Sequence, residues 1–242
     1  SDNQKSGKST ISNILKIILK ENFNLETIVF SIDDFYKTIK ERKIMAKKIS
    51  PLFLTRGVPG THDTKMLYSC IKNLKSSKFK KIIIPKFDKA IDNRASKNKW
   101  LKVKKKPNVV VFEGWCVGAE PQKKKDLLIS INKLEKQNDY KKTWRNKVNQ
   151  ELKQDYKKIF KLIDKIIFLK VPSFKYVFKW RLLQEKKLQR NLKGKKIMSK
   201  HKIKNFIMFY ERITKHMIKT LTYKAHTMIK IDTKHRLKSI KF

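Results

Sequence analysis

The sequence lacks the features of several protein classes. No run of about 18 apolar residues occurs in its 242 residues, which excludes a transmembrane helix of ordinary length. The N-terminal region lacks the apolar segment of a secretory signal. Cysteine is rare, and the spacing of Cys70 and Cys116 does not match a metal site. We therefore expect no membrane partner, and we expect both cysteines to be buried free thiols in a reducing cytoplasm.

Acidic residues are also scarce. The 62 Lys and Arg residues outnumber 20 Asp and Glu, and the formal net charge is +42. Only 8 of the basic residues are Arg, and the lysines are spread along nearly the whole chain. A dedicated nucleic-acid-binding protein would favour Arg and concentrate its charge on one face. We attribute the charge to compositional drift at tolerant surface positions, and we expect attraction of anionic substrates with only non-specific nucleic-acid binding.

The chain has no internal repeat and no linker rich in Gly, Ser or Pro, so a single domain over 1–242 is predicted. Short apolar runs typical of buried strands alternate with helical patterns. This alternation predicts an α/β fold with a parallel sheet flanked by helices. Strands are expected at 28–32, 82–84, 109–112, 166–169 and 228–231, and helices from 8, after 63, over 138–163, from 173 and over 203–221.

The segment at 2–9 resembles a Walker A phosphate-binding loop, although Asp2 stands where the pattern has its first glycine. In such a loop, Gly7 permits close backbone approach, Lys8 reaches the β- and γ-phosphates, and Ser9 ligates Mg²⁺. We therefore expect ATP and Mg²⁺ as cofactors. The alternative is a chance Gly-Lys-Ser-Thr in a lysine-rich chain. The expected ATP-binding residues are Gln4, Lys5, Ser6, Gly7, Lys8, Ser9 and Thr10.

A P-loop normally follows a buried strand, and neither that strand nor an initiator methionine precedes this segment. The expectation is a P-loop NTPase (kinase) fold, N-terminally truncated, with its first strand missing.

Acidic residues follow two of the predicted strands. Asp33 and Asp34 come directly after the run at 28–32, and Glu113 ends the run at 109–112. Carboxylates at the C-terminal ends of parallel strands point into the ligand crevice of such sheets. One Asp could take a proton from an acceptor hydroxyl, and Glu113 could hold Mg²⁺ with Ser9. A helix cap at the Asp pair and a solvated strand end at Glu113 are the alternatives.

Several strings in order resemble the D-glycerate 3-kinase family, a branch related to uridine kinase, phosphoribulokinase and pantothenate kinase. The most specific of them is Arg-Gly-Val-Pro-Gly-Thr-His-Asp at 56–63. The others are Ser-Ile-Asp-Asp-Phe-Tyr at 31–36, Pro-Lys-Phe-Asp-Lys at 85–89, Phe-Glu-Gly-Trp at 112–115 and Trp-Arg-Leu-Leu-Gln-Glu at 180–185. The resemblance covers nearly the whole chain.

The resemblance implies a role for each matching residue. Asp33 is the expected general base, Ser9 and Glu113 the Mg²⁺ ligands, and Arg181 a transition-state arginine in a helical lid around 173–200. The expected catalytic set is thus Asp33, Lys8 and Arg181, and the expected acceptor-binding residues are Tyr36, Arg56, His62, Asp63, Asp88 and Arg94. Alternatives stay open for three of them: His62 could assist a helix cap, Arg94 could be a solvated cation, and Arg181 could pair with Glu185.

The resemblance implies transfer of the γ-phosphate of ATP to D-glycerate. A uridine- or phosphoribulokinase-like enzyme with another acceptor is one alternative. The other is a degenerate kinase fold that binds nucleic acid through its charge.

Overall fold

The computed structural model describes residues 7–191 and 199–242, apart from the side chains of 184 and 186–191. Helices and strands alternate along the first part of the chain, with several short strands between α3 and β6. In order they are α1 (Gly7–Phe23), β1 (Thr27–Ser31), α2 (Ile39–Lys48), α3 (Thr64–Lys75), β2 (Ile82–Ile84), β3 (Phe87–Asp88), β4 (Asn93–Arg94), β5 (Leu101–Val103) and β6 (Val109–Glu113). The later elements are α4 (Lys133–Asn138), α5 (Thr143–Glu151), α6 (Lys157–Phe160), β7 (Ile167–Lys170), α7 (Phe174–Asn191), α8 (Lys200–Lys224), β8 (Thr227–Ile231) and β9 (Leu237–Lys241).

The chain divides into two compact units. Unit 1 comprises the residues up to Val117 together with Asn146–Leu162. Unit 2 comprises Gly118–Arg145 and Ile163–Phe242.

Unit 1 is built around the parallel pair of β1 and β6. Thr27 pairs with Val109, and the register continues to Ser31 opposite Glu113, so both strands end at the same edge. β-branched and aromatic residues dominate both strands, which suits a pleated surface. Helix α1 packs against both of them. The residues that follow the two strands therefore emerge side by side.

Helix α3 of unit 1 forms where the sequence predicts a helix. The Asp63 side chain accepts a hydrogen bond from the backbone N–H of Met66 at 3.0 Å, which caps the helix. Its expected apolar face, Leu67, Cys70, Ile71 and Leu74, is buried. Two short antiparallel ribbons, β2 with β5 and β3 with β4, are the other strands among the described residues of this unit.

Unit 2 contains the sheet β7-β8-β9, in which β7 and β8 are parallel and β9 is antiparallel to β8. Helix α8 packs against β7 and against α7. Its buried side chains follow the spacing of a single helix face, which explains why its position could be predicted: they are Ile203, Ile207, Arg212, Ile213, Met217 and Leu221.

The helix predicted over 138–163 is interrupted. Asp139 accepts hydrogen bonds from the backbone N–H groups of Trp144 (2.8 Å) and Arg145 (3.2 Å), so its carboxylate caps a new helix start. Lys142 has a φ of 62°, in the left-handed region that breaks a helix. The helix therefore begins at Thr143, and a π-helical turn over Leu152–Tyr156 separates α5 from α6. Buried side chains at helical spacing, Trp144, Val148, Leu152 and Tyr156, continue from α5 through the π-helical turn.

None of the described helices is long and apolar enough to cross a membrane. Cys70 and Cys116 are both buried free thiols. Burial raises the pKa of Cys70 to about 12, so this thiol stays protonated at neutral pH.

Candidate active site

A 3₁₀ turn over Ile32–Phe35, the Asp33 turn, follows β1 and holds two consecutive acids at the strand edge. The Ser31 side chain accepts a hydrogen bond from the backbone N–H of Asp33 at 3.2 Å, and the Asp34 carboxylate accepts one from the Ser31 N–H at 3.3 Å. This reciprocal pair of bonds is a capping box. The turn therefore holds the Asp33 side chain in a defined place, two residues beyond the position opposite Glu113.

Asp33 lies in a pocket of side chains. The Tyr36 hydroxyl donates to Oδ1 at 2.8 Å, and the Lys89 ammonium contacts Oδ2 at 2.9 Å. Burial raises the pKa of the Asp33 carboxyl, but the charge and hydrogen bond of Lys89 and the hydrogen bond of Tyr36 outweigh it. The pKa of Asp33 therefore lies below its ordinary value, and the group is a carboxylate at neutral pH.

Asp34 has different partners. Besides the Ser31 N–H, it accepts a long hydrogen bond from the Phe87 N–H at 3.4 Å and contacts the Lys86 ammonium at 3.1 Å. Burial raises the pKa of Asp34 above its ordinary value despite these partners. Backbone N–H groups thus hold the Asp34 carboxylate, whereas the Asp33 carboxylate is held by the side chains of Tyr36 and Lys89.

The described part of the predicted phosphate loop opens helix α1. Gly7, Lys8, Ser9 and Thr10 form its first turn, where backbone N–H groups and the helix dipole favour an anion. The remaining expected ATP-binding residues, Gln4, Lys5 and Ser6, lie outside the described residues, as does Asp2.

The two expected magnesium ligands are brought together. The Ser9 hydroxyl donates to Oε1 of Glu113 at 3.0 Å, across 104 residues of sequence. Two neighbouring oxygen ligands of an octahedral Mg²⁺ with bonds of about 2.1 Å lie roughly 3 Å apart, so this pair fits that ion. No cluster of three His, Cys, Asp or Glu side chains suited to a metal occurs among the described residues. A Ser hydroxyl and a Glu carboxylate are both oxygen donors of the kind that Mg²⁺ prefers.

Expected acceptor-binding residues from three separate segments meet around Tyr36. Tyr36 pairs with His62 through an isolated antiparallel bridge, and their rings stack at 4.5 Å between centroids. Arg94 donates from Nε to the Tyr36 carbonyl at 3.2 Å and from Nη2 to Oδ2 of Asp63 at 2.9 Å. Four residues predicted from the sequence, Tyr36, His62, Asp63 and Arg94, therefore form one cluster, and Asp63 also caps α3.

His62 is completely buried. Its Nδ1 lies 2.5 Å from the hydroxyl of Tyr156, which also accepts a hydrogen bond from the Gly60 N–H at 3.0 Å. Burial lowers the pKa of His62 to about 3, so the imidazole is neutral at physiological pH. The contact between Nδ1 and the Tyr156 hydroxyl fixes the position of the imidazole ring, and the N-cap of α3 is Asp63.

The other two expected acceptor residues have separate surroundings. Arg56 forms an ion pair with Asp92, and its guanidinium lies 5.5 Å from the Phe87 ring centroid. Asp88 accepts a hydrogen bond from the backbone N–H of Ala90 at 2.9 Å, which stabilises the turn between β3 and β4. The buried Arg42 holds the same Asp92 carboxylate at 2.9 Å.

Gly114 is needed for packing. A Cβ at this position would overlap Cγ2 of Ile32 and lie 3.0 Å from Cγ2 of Val117. The backbone after Glu113 therefore runs directly against the residue that begins the Asp33 turn. The indole N–H of Trp115 donates to the Gly57 carbonyl at 2.8 Å, which holds the backbone after Gly114 in place.

Arg181 lies on α7 in unit 2 and forms an i,i+4 ion pair with Glu185. This is the pairing that its spacing in the sequence allowed. Part of the expected lid, residues 192–198, lies outside the described residues.

Two residues that shape the site had no predicted role. Lys89 belongs to the Pro-Lys-Phe-Asp-Lys string, so its place in a family motif was a usable signal. Tyr156 lies 94 residues from His62 in a helical pattern, and nothing in the sequence marked it.

Comparisons with known proteins identify related kinases. The model of the phosphoribulokinase/uridine kinase family matches residues 3–150. The uncharacterized kinase mug58 of Schizosaccharomyces pombe is 33% identical over 232 residues, which cover 92% of this chain and 81% of that protein. The chloroplastic D-glycerate 3-kinase of Arabidopsis thaliana is 27% identical over 227 residues, 90% of this chain, and the match spans 46% of that enzyme.

Solved structures show the same fold. A D-glycerate 3-kinase from Cryptococcus neoformans var. grubii superposes with a TM-score of 0.82 at 24% identity, over 97% of this chain and 86% of that one. The YGR205w protein gives a TM-score of 0.78 at 24% identity, over 100% of this chain and 87% of that one. The α/β architecture with parallel strands flanked by helices is therefore that of the P-loop kinases.

Proposed function

Since the chain belongs to the phosphoribulokinase/uridine kinase family, we propose that it transfers the γ-phosphate of ATP to D-glycerate, giving 3-phosphoglycerate. The choice of D-glycerate as the acceptor is the more specific half of the proposal and has its own support. Relatives named D-glycerate 3-kinase in a plant and a fungus support it, together with the sequence strings at 31–36, 56–63 and 85–89.

One observation carries the proposal: Ser9 and Glu113 meet at 3.0 Å beside the strand edge that presents Asp33. Phosphoryl transfer needs a metal-ligand pair next to the phosphates and a base for the acceptor hydroxyl. We assign the metal-ligand pair to Ser9, in the first turn of α1, and Glu113, at the end of β6, and we assign the base to Asp33, in the turn after β1.

In this mechanism Gln4, Lys5, Ser6, Gly7, Lys8, Ser9 and Thr10 surround the phosphates of ATP. Lys8 neutralises charge on the transferring group, and Ser9 and Glu113 would hold Mg²⁺. When bound, the ion neutralises charge on the β- and γ-phosphates. Asp33 takes the proton from the acceptor hydroxyl as its oxygen attacks the γ-phosphorus and ADP leaves.

The expected acceptor-binding residues would orient D-glycerate. We assign its carboxylate to Arg56 or Arg94, because a guanidinium matches a planar carboxylate with two parallel hydrogen bonds. Tyr36, His62, Asp63 and Asp88 complete the acceptor side. Arg94 forms an ion pair with Asp63, and Arg56 forms one with Asp92, so neighbouring carboxylates orient both guanidinium groups.

The remaining assignments belong to the same proposal. Arg181 would act as a lid arginine that neutralises the transferring phosphoryl group. Residues 1–242 would form one kinase domain with a lid around 173–200. The cytoplasm would be its compartment, since Cys70 and Cys116 are both free thiols.

The test is ADP release, measured by a coupled assay with Mg-ATP and a panel of acceptors: D-glycerate, uridine, ribulose 5-phosphate, pantothenate and none. We expect release only with D-glycerate, and its loss in the Lys8→Ala variant. Release with a different acceptor would overturn the assignment of D-glycerate. No release with any acceptor, combined with no rise in melting temperature on addition of Mg-ATP, would overturn the kinase activity itself.

A further inference from the structure

Two lysines of one segment contact the two acids of the Asp33 turn. Lys86 Nζ lies 3.1 Å from Oδ1 of Asp34, and Lys89 Nζ lies 2.9 Å from Oδ2 of Asp33. The two ion pairs are side by side, yet their surroundings differ. Lys86 is half-exposed and Asp34 buried, whereas Lys89 and Asp33 are both largely shielded, at 32% and 13% exposure. A shielded ion pair is screened less by solvent than an exposed one.

The hydrogen bonds of the two acids indicate different roles for the two lysines. Asp34 is anchored by the backbone N–H groups of Ser31 and Phe87, so its place does not depend on Lys86 alone. The Asp33 carboxylate contacts the side chains of Tyr36 and Lys89. Of these two, Lys89 brings a full positive charge. A change at Lys89 should therefore alter the electrostatics of Asp33 while the capping box keeps the turn in place.

We propose that Lys89 is a positioning residue that keeps the Asp33 carboxylate ionised and oriented for proton abstraction from the acceptor. This inference rests on the proposed kinase function, because it assigns Asp33 the role of base. The acceptor O–H bond breaks with its proton passing to Asp33, while the O–P bond forms and the bond from the γ-phosphorus to ADP breaks. Lys89 neither gives nor takes a proton in this step.

The neighbours of Asp33 leave this electrostatic role to Lys89. Tyr36 donates a hydrogen bond to the carboxylate, and His62 and Cys116 interact with it electrostatically. Burial keeps His62 neutral, and burial raises the pKa of Cys116 so that its thiol stays protonated. Tyr36 is a neutral donor. The direct contact of Lys89, together with the hydrogen bond from Tyr36, therefore offsets the cost of burying a charged carboxylate, and Lys89 is the charged member of the two.

The first test measures Asp33 without catalysis. Carboxyl ¹³C NMR titration, with the Asp33 resonance assigned by its loss in Asp33→Asn, is run on wild type, Lys89→Met, Lys89→Arg and Lys86→Met. We expect the pKa of Asp33 to rise in Lys89→Met, to stay near the wild-type value in Lys89→Arg, and to be unchanged in Lys86→Met. Lys89→Gln replaces Lys89→Met if the latter does not fold. An Asp33 titration identical in wild type and the charge-removing variant would overturn the inference.

The second test is the pH profile of kcat/KM for D-glycerate. A raised pKa of Asp33 moves the acid limb to higher pH, so Lys89→Met should lose roughly tenfold at the acid end and about twofold or less near pH 8. Lys86→Met should keep the wild-type profile. A residue that is merely structural would lower activity at all pH values equally, which would also overturn the inference. If the NMR shift occurs while wild type phosphorylates no acceptor, the proposed function fails and the control of Asp33 by Lys89 stands.

Discussion

The hydroxyl of Tyr156 lies 2.5 Å from Nδ1 of His62, and 94 residues separate the two in sequence. Tyr156 is the last residue of the π-helical turn between α5 and α6, and the same hydroxyl accepts the N–H of Gly60. Gly60 has a φ of 100°, a conformation that L side chains rarely adopt. One phenol therefore holds two points of the loop that carries the proposed acceptor residues.

Removing this phenol hydroxyl should destabilise the protein. In Tyr156→Phe the buried N–H of Gly60 and Nδ1 of His62 both lose their partner, so we expect a loss of about 1–3 kcal/mol in the free energy of unfolding. Urea denaturation measures it. Tyr140→Phe is the matched control, because Tyr140 is 67% exposed, and it should change stability by less than about 0.5 kcal/mol. Equal stabilities of the two variants would contradict the structural role.

Acid should destabilise the fold through His62. Its pKa is about 3 when folded and near 6.5 when unfolded, so between these values the unfolded chain binds a proton that the native state does not. Stability is then fully present above pH 6.5 and falls as pH drops towards 3, by up to about 1.4 kcal/mol per pH unit. Urea denaturation between pH 7.5 and 4.5 tests this. His62→Gln should show a smaller slope over that range, and an unchanged slope would contradict the burial of a neutral imidazole.

Gly114 should tolerate no side chain. The Cβ of Gly114→Ala would overlap Cγ2 of the fully buried Ile32, so we expect a cost of about 1–3 kcal/mol or more from overpacking. The double variant with Ile32→Ala removes the overlapping methyl group. A double-mutant cycle by chemical denaturation should therefore show a favourable coupling between the two changes. Additive effects would mean that the close approach is not the cause.

The buried charge cluster of unit 2 should be sensitive to loss of its acid. Glu135 is fully buried and contacts Arg145 at 3.1 Å and Arg212 at 2.6 Å. Glu135→Ala leaves two buried guanidinium groups without this carboxylate, and we expect a loss of about 3–5 kcal/mol. Glu120→Ala breaks the half-exposed pair with Lys224 and should cost at most about 1 kcal/mol. Thermal or urea unfolding compares them, and similar losses would contradict the prediction.

Asp33→Asn should separate catalysis from nucleotide binding. The amide keeps the shape of the side chain but cannot take a proton, so we expect kcat for the accepted substrate to fall by about 10²–10⁴-fold. The rise in melting temperature with Mg-ATP should persist, because the proposed ATP ligands are untouched. Asp34→Asn should retain far more activity, since the Asp34 oxygens accept hydrogen bonds from backbone N–H groups. Equal loss of activity in both variants would contradict the choice of Asp33.

Much of the fold could be predicted where its signal is local. Asp63 and the apolar positions after it predicted α3 with its cap and its buried face, and the run at 82–84 is β2 with the same bounds. The break at Asp139–Lys142 was missed because a capping side chain and a left-handed residue leave little mark on hydrophobic periodicity. Strand β5 was also missed, since its pairing with β2 depends on a segment about 20 residues away.

The residues of the candidate site could likewise be predicted only where the signal is local. The residue types of the phosphate loop and of the strand ends at Asp33 and Glu113 were readable in the sequence, because their chemistry prescribes which side chains stand after a strand or at the start of a helix. Lys89 and Tyr156 were given no role. Their effect comes from contacts with residues 56 and 94 positions away.

The sequence by itself thus determined the family, the alternation of helices and strands, and the residue types of the candidate site at the strand ends and the start of α1. The tertiary structure alone decided in which direction the pKa of each of two adjacent acids shifts, which partner the buried His62 ring has, and why Gly114 must lack a side chain. Each of these depends on burial and on groups brought together from distant segments. A pKa or a steric overlap is set by such three-dimensional surroundings, which the order of residues does not display.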